Sequence, residues 1–198
     1  MNNSKISAMI QHNADPLADP MTIHAPEIKT LEADDAVHCD VVVPLARSRA
    51  FESFRHDIYD WWPRDMTWCG GALEHLFLEG RKGGMLWERG PDGYRLDCAR
   101  VMRWLPPDKF VLRWHIGPGR VPQPDIATAS EVEVQFSAED EERTRVVLDH
   151  RGFASHGVGA SEYHSFMASA KGWPHILRCF AEHCEIVENL RKFRAGEG

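Results

Sequence analysis

His150 is the residue of this chain best placed to do chemistry. It follows Val146 and Leu148 at steps of two, so the three side chains share one face of a strand. The apolar pair predicts that this face is buried, where a neutral imidazole can bind a ligand or transfer a proton. The alternative, which we favour, is a structural histidine bonded to backbone or to a carboxylate. Glu88 and Arg100 are further polar side chains that can face the same interior.

His175, Cys179 and His183 form a second arrangement, at i, i+4 and i+8 on one helical face. That spacing can hold zinc or copper. The face lies opposite the apolar stripe of the same helix, and the sequence offers no recognisable fourth ligand. We therefore expect a solvated helix face and no metal site.

The glycine-containing segments carry no catalytic signature. None matches a phosphate-binding loop, and the run from Gly159 to Tyr163 lacks the final glycine of a nucleophile elbow. The sequence therefore predicts no cofactor and identifies no catalytic residue.

A long amphipathic helix is predicted from about Ser161 to Leu190. Apolar side chains recur there mostly at steps of three or four residues, at Tyr163, Phe166, Met167, Ala170, Trp173, Leu177, Phe180, Cys184 and Val187. Pro174 interrupts the pattern without changing its phase, so we expect a kink rather than two separate helices. Such a helix needs a broad apolar partner.

Strand-like segments supply that partner. Seven of them alternate apolar and polar residues or end at turn residues: Val37–Val43, Leu73–Leu78, Met85–Arg89, Arg95–Leu105, Lys109–Ile116, Thr128–Ser137 and Arg143–Gly152. A short helix with Phe51 and Phe54 in its apolar stripe ends before Pro63. This order predicts an α+β domain in which a curved antiparallel sheet of six to seven strands surrounds the C-terminal helix.

Composition excludes several classes of function. A net charge of −7, with no basic run longer than two residues, disfavours nucleic-acid and anionic-membrane surfaces. No apolar stretch approaches the roughly 20 residues of a transmembrane helix, and the N-terminus lacks the apolar segment of a secretion signal. Five cysteines without paired spacing are typical of reduced thiols. We therefore expect a cytoplasmic protein that binds neither nucleic acid nor membrane.

Domain boundaries follow from the same periodicity. Residues 1–36, which include Pro16, Pro20 and Pro26, show none, so we predict a flexible N-terminal arm. One domain over residues 37–190 and a short tail over residues 191–198 complete the chain.

Several segments, in their order along the chain, resemble the helix-grip fold of the START and birch-pollen-allergen superfamily, also called SRPBCC. They are Trp61-Trp62-Pro63, Gly83-Gly84 with Trp87-Glu88-Arg89, Arg100-Val101 with Trp104, Phe110–Trp114, Thr144–Phe153 and Gly172-Trp173-Pro174. Within the superfamily they are similar to a bacterial family that resembles the C-terminal domain of the activator of the heat-shock-protein-90 ATPase. The similarity covers about Val37 to Glu188.

Two departures from that family matter. Cys98-Ala99 stands where many relatives carry Trp-Gly before Arg-Val, so we expect a different cavity wall there. The chain has no room for the separate N-terminal domain of the eukaryotic co-chaperone, so a chaperone-activating role does not follow from the resemblance.

The resemblance implies a cavity between sheet and helix, within the ~300–1,000 Å³ usual for ligand sites. Its expected lining, chosen by alternation along the strands and by the helical stripe, is Trp87, Phe110, Leu112, Trp114, Phe136, Leu148, His150, Tyr163, Phe166, Trp173 and Leu177. The alternative is that these side chains only pack together as a filled core.

Three functions remain open at this point. The leading one is a non-enzymatic domain that binds a small hydrophobic or aromatic ligand in the cavity. The second is an enzyme in which His150 and polar neighbours carry out cyclase- or hydratase-like proton transfer, as some superfamily members do. The third is a protein-interaction module that uses its surface. A small hydrophobic ligand is thus the expected partner, and a homodimer is left open.

Each alternative has a structural signature. An inward histidine–carboxylate pair would favour the enzyme, and an apolar cavity without one would favour the binding domain. A filled core with an exposed apolar patch would favour the interaction module.

Overall fold

The computed structural model describes residues 35–123 and 125–196. Most of the predicted N-terminal arm, residues 1–36, lies outside the described residues, and the first strand begins at its last residue. Within the described part the strands and α-helices are β1 (Ala36–Val43), α1 (Arg47–His56), α2 (Ile58–Trp61), β2 (His75–Leu78), β3 (Met85–Arg89), β4 (Arg95–Leu105), β5 (Lys109–Trp114), β6 (Ser130–Ala138), β7 (Thr144–Arg151), α3 (Ala160–Ala168) and α4 (Trp173–Ala195).

The strands form one seven-stranded antiparallel sheet in the order β1-β7-β6-β5-β4-β3-β2. The first strand pairs with the last, and the remaining strands form a meander through hairpin connections. The predicted α+β architecture of six to seven strands and a C-terminal helix is confirmed.

Alternation along β6 and β7 decides which face of the sheet carries the core. Val132, Val134 and Phe136 are buried, as are Val146 and Leu148, which pair with Phe136 and Val134. Because side chains alternate between the faces of a strand, the polar residues between them point away from the core. The inner face is the one expected from the sequence.

The C-terminal helical region differs from the predicted single kinked helix. Residues 169–172 are not helical, so α3 and α4 are two helices. Pro174 lies in the first turn of α4, where its missing N–H costs nothing and its fixed φ favours initiation. A Cβ at Gly172 would lie 2.3 Å from the carbonyl oxygen of Met167, so the sharp turn needs glycine. Helix α4 also runs on to Ala195, into the segment expected to be a tail.

A register shift in β4 changes the wall of the sheet. Leu86 pairs with Ala99 but Trp87 pairs with Asp97, which leaves Cys98 as an extra residue. Cys98 and Ala99 are consequently both buried on the inner side, against the alternation of an ideal strand.

Aromatic side chains fill the end of the domain where α1 meets the sheet. The rings of Phe54 and Phe180 have centroids 4.9 Å apart, and Phe51 and Phe136 have centroids 5.2 Å apart. Offset and edge contacts of this kind stabilise a core beyond the area they bury. This end is therefore tightly filled.

None of the described helices is both long enough and apolar enough to cross a membrane.

Candidate functional site

A pocket lies between the inner face of the sheet and helices α3 and α4. The space inside it that can hold a water molecule is about 50 Å³, within about 630 Å³ of non-atom space that includes the mouth open to solvent. Its walls are mainly apolar, and the apolar residues are Trp62, Met66, Trp68, Leu76, Leu86, Trp114, Ile116, Phe166, Met167 and Ile176. Five polar side chains interrupt them: Thr67, Glu88, Cys98, Arg120 and Tyr163. The mixture is that of a small-molecule site, in which apolar walls supply affinity and a few polar groups orient the ligand.

Glu88 is the buried carboxylate of this pocket. Its side chain comes from β3, and the residue is only 1% exposed. The backbone N–H of Trp68 donates to both carboxylate oxygens, at 2.8 and 3.1 Å, and the N–H of Cys69 donates at 3.4 Å. Burial raises the pKa of Glu88 above its ordinary value, while these two N–H groups and the charge of Arg120 oppose the increase. A carboxyl group held in this way is suited to proton transfer or to hydrogen bonding with a ligand.

Tyr163 supplies a hydroxyl on the opposite element, α3. The indole Nε1–H of Trp114, on β5, donates to the Tyr163 oxygen at 2.8 Å. Burial raises the pKa of Tyr163, so the hydroxyl keeps its proton. The bond joins the sheet to α3 across the pocket wall and leaves the hydroxyl hydrogen to act as a donor.

Arg120 closes one side of the mouth. Arg120 is the last residue of a short turn, Pro118–Arg120, and has a φ of 63°, in the left-handed region. Its guanidinium donates to the carbonyl oxygen of Asp65 at 2.9 Å and also to that of Thr67. These bonds tie the loop before β6 to the segment that follows α2, and so complete the rim of the pocket.

His150 lies outside this pocket, in a buried chain of hydrogen bonds. Nε1–H of Trp173 donates to Nδ1 of His150 at 2.9 Å, and Nε2 of His150 lies 2.7 Å from the Ser130 hydroxyl. Ser130 in turn lies 2.9 Å from Nε2 of His156, whose Nδ1 is 2.5 Å from Oε1 of Gln123. An indole only donates, so His150 accepts at Nδ1 and carries its proton on Nε2. Nε2–H of His150 then donates to the Ser130 oxygen, and the Ser130 hydroxyl donates to Nε2 of His156. Nδ1–H of His156 donates to Oε1 of Gln123.

Burial lowers the pKa of His150 well below its ordinary value, with His156 and His164 adding to the effect. The imidazole is therefore neutral, as its hydrogen-bond partners require. Both ring nitrogens are occupied within the protein, which is the arrangement of a structural histidine.

Comparison with solved structures identifies the superfamily. The chain is 31% identical to an anthrahydroquino-γ-pyrone synthase, Txn09, over 74% of this chain and 95% of that one, with a TM-score of 0.55. The chain belongs to the helix-grip (SRPBCC) superfamily.

Two further helix-grip structures show the same fold at lower identity. CalC, a self-sacrificing resistance protein from Micromonospora echinospora, is 24% identical over 77% of this chain and 95% of its own, with a TM-score of 0.56. The Aha1 dimer from Colwellia psychrerythraea is 14% identical over 76% of this chain and 96% of that one, with a TM-score of 0.51. No protein-family model and no curated protein matches the sequence.

The helix-grip cavity contains only some of the residues chosen from the sequence. Trp114, Tyr163 and Phe166 line the pocket. The others on the inner side lie deeper and pack around smaller gaps or within the aromatic core; they are Phe110, Leu112, Phe136, Leu148, His150, Trp173 and Leu177, all at most 4% exposed. Their binding role remains a prediction.

Trp87 was expected in the cavity and lies on the other face of the sheet. Its neighbours Leu86 and Glu88 line the pocket, so Trp87 points away from it. Its ring instead lies 5.5 Å from that of His75 and is covered by the Arg95 guanidinium at 4.6 Å. A choice of face that is wrong by one residue places a side chain on the opposite side. Arg100 is exposed on β4 and is likewise not part of the pocket.

Other pocket residues were not found by sequence reasoning. Trp68, Thr67 and Arg120 belong to irregular segments, where no periodicity marks them as inward-facing. Leu76 and Leu86 follow the strand alternation, and the correct choice of face for β2 and β3 would have identified them. Glu88 was named from the sequence as a polar side chain that can face the interior, and it does line the pocket. Cys98 was noticed as a departure from the resembled family, and it does form part of the wall.

The predicted metal-spaced residues of α4 contact separate acidic partners. Nε2 of His175 lies 3.4 Å from Asp65, and Nε2 of His183 lies 3.2 Å from Asp57. Cys179 contacts His175 at 3.7 Å. Over the described ranges, no group of three or more His, Cys, Asp or Glu side chains is arranged to hold a metal ion.

The last turns of α4 carry an exposed apolar stripe of Ile186, Leu190 and Phe193, the last of which is 81% exposed. Their spacing of three and four residues places them on one helical face. This stripe is the feature that the interaction-module hypothesis requires.

Proposed function

We propose that this protein binds a small aromatic ligand in the pocket between its sheet and α3. The observation that carries the proposal is the pocket itself, because apolar walls that include three tryptophan side chains, Trp62, Trp68 and Trp114, surround open space between the sheet and α3. Packed interiors contain few voids larger than a water molecule, and burying apolar ligand surface in such a space is favourable.

The position of His150 also supports binding over histidine-based catalysis. Its two nitrogens are engaged by Trp173 and Ser130, so an inward histidine–carboxylate pair does not form in the pocket. By the criterion set from the sequence, an apolar cavity without such a pair favours the binding domain. We also propose that the protein belongs, within the superfamily, to the bacterial family that resembles the heat-shock-protein-90 ATPase activator. This part of the proposal rests on the sequence segments that resemble that family.

Native mass spectrometry of protein purified from its source cells tests the proposal. We expect an added mass that corresponds to a small organic compound and that is absent after denaturation. The matched control is Cys98→Trp, in which an indole occupies the wall of the pocket. The proposal fails if the wild-type protein carries no compound and no aromatic compound from a test panel quenches its tryptophan fluorescence.

An enzyme is the second candidate, and Glu88 is the observation that favours it. A carboxyl group whose pKa is raised by burial is suited to general acid–base catalysis in an apolar pocket. The 31% identical relative is named as a synthase. In this alternative Glu88, rather than His150, transfers the proton.

Glu88→Gln separates the two functions. If the protein only binds, a compound that co-purifies with the wild-type protein stays chemically unchanged on incubation with it. If the protein is an enzyme, its ligand is converted by the wild-type protein, and the amide variant binds it without converting it. Liquid chromatography of the reaction mixture distinguishes these results.

A further inference from the structure

Glu88 is a buried carboxylate that is held in place but not neutralised. The N–H groups of Trp68 and Cys69 donate to its oxygens, and the Cys98 thiol makes a weak, long contact of 4.0 Å to Oε1. Among the described residues no lysine, arginine or histidine forms an ion pair with it. Burying such a group is costly unless its remaining hydrogen-bonding capacity is satisfied.

The Arg120 guanidinium does not donate to the remaining acceptor position of the Glu88 carboxylate. Arg120 also lines the pocket, but its guanidinium nitrogens donate to the backbone carbonyl oxygens of Asp65 and Thr67. Its charge acts on Glu88 at a distance only. A ligand that enters the pocket therefore meets a carboxylate whose donors are two backbone N–H groups and one weak thiol, which leaves at least one of its roughly four acceptor positions open to a stronger donor.

Tyr163 presents the complementary group on a different wall. Its oxygen accepts from Trp114, while its own hydrogen meets no acceptor within the part of the chain that the structure describes. The pocket thus offers one acceptor from β3 and one donor from α3 within a lining that is otherwise mainly apolar.

We propose that Glu88 is the specificity-determining residue of the pocket and selects aromatic ligands that carry a hydroxyl group. This inference rests on the proposed binding function. The ligand hydroxyl donates to the Glu88 carboxylate, and a second oxygen of the ligand accepts from Tyr163. A positively charged amine fits less well, because the Arg120 guanidinium stands at the entrance.

Three probes of nearly equal shape test the inference by equilibrium dialysis: naphthalene, 2-naphthol and 2-methoxynaphthalene. The methoxy compound keeps the ring and the oxygen but has no hydrogen to donate. A hydrogen bond to a charged acceptor is expected to make 2-naphthol bind about tenfold more tightly than 2-methoxynaphthalene. In Glu88→Met the preference falls below about threefold, while naphthalene binds at least as well as before.

Glu131→Gln is the matched control, because Glu131 lies on the other face of the sheet and the change removes a carboxylate without touching the pocket. It keeps the wild-type preference. Tyr163→Phe removes the donor for a second ligand oxygen, and it keeps the preference of 2-naphthol over the methoxy compound, because 2-naphthol has a single oxygen and that oxygen is bound at Glu88.

The outcomes separate the two proposals. Equal affinities of wild-type protein for 2-naphthol and 2-methoxynaphthalene overturn the specificity inference and leave the binding function standing. This comparison needs no variant, so it decides even if a Glu88 substitution prevents folding. Failure of all three probes to bind overturns both proposals. Tighter binding of 1-naphthylmethylamine than of 2-naphthol also overturns the inference, since the selected donor would then be a cation.

Discussion

The indole of Trp173 donates a hydrogen bond of 2.9 Å to Nδ1 of His150. This contact joins the first residue of α4 to β7 and determines which nitrogen of the imidazole carries the proton. It also explains why the most chemically suggestive residue of the sequence is not in the pocket. His150 anchors the helix that closes the domain, and the pocket lies beside it.

Substitution of Trp114 should therefore weaken ligand binding more than substitution of His150. Trp114→Ala removes a pocket wall and the donor to Tyr163, and we expect about a tenfold or greater loss of affinity for 2-naphthol. His150→Ala should lower the free energy of unfolding and leave the affinity for 2-naphthol nearly unchanged. Dialysis of both variants, with thermal unfolding to establish that each is folded, gives the comparison. Equal losses of affinity would count against the placement of the binding site.

Cys98→Trp should block the pocket. Cys98 lines the pocket two residues after the buried Leu96, and an indole there projects into the space beside Glu88. We expect no measurable probe binding, with a stability cost of about 1–3 kcal/mol for overpacking. Cys98→Ala is the size-reducing control and should retain binding. Unchanged affinity in the tryptophan variant would contradict the location of the pocket.

Gly172→Ala should destabilise the fold. The added Cβ would lie 2.3 Å from the Met167 carbonyl oxygen, so the turn between α3 and α4 must shift. We expect a loss of about 2 kcal/mol or more in the free energy of unfolding by urea. Gly71→Ala meets no atom within 4 Å and should change stability by less than about 1 kcal/mol. Similar values for the two variants would refute the account of this turn.

Mild acid should destabilise the protein through His150. Its pKa lies well below 6.5 in the folded state, whereas the unfolded chain takes up a proton near 6.5. The unfolded state thus binds more protons in this window, and stability falls as the pH drops below about 6.5. Urea unfolding at about pH 7.5 and about pH 5 should show the loss, and His150→Asn should reduce it. A stability difference between the wild-type protein and His150→Asn that does not change over this interval would exclude a buried neutral imidazole.

Glu88 should have the opposite effect. Its pKa is raised above 4.5 by burial, so just above that pH the folded state binds more protons than the unfolded state. Stability from this group is complete at low pH and is lost as the pH rises through the folded pKa. The stability of the wild-type protein relative to Glu88→Gln should therefore decrease with increasing pH in this window. An increase would mean that hydrogen bonds to the ionised carboxylate outweigh its burial.

The local elements were largely predictable from the sequence. The bounds of β3 and β4 are as predicted, and the inward face of β6 and β7 was predicted correctly, because alternation and turn residues act over a few neighbouring positions. The break between α3 and α4 was missed because the apolar stripe continues in phase across it. Gly172 shows its meaning only once Met167 is known to lie against it.

The sequence by itself determined the order of the strands, the sheet and the buried faces of β6 and β7, since each depends on the polarity of residues close together in the chain. Only the tertiary structure decided which buried side chains surround empty space and which pack together. That depends on the distance between elements far apart in sequence, on the register shift that buries both Cys98 and Ala99, and on loops that bring Trp68 and Arg120 to the rim. It also depends on Ser130 and Trp173 meeting at His150, where they occupy both ring nitrogens, while Glu88 rather than His150 lines the pocket.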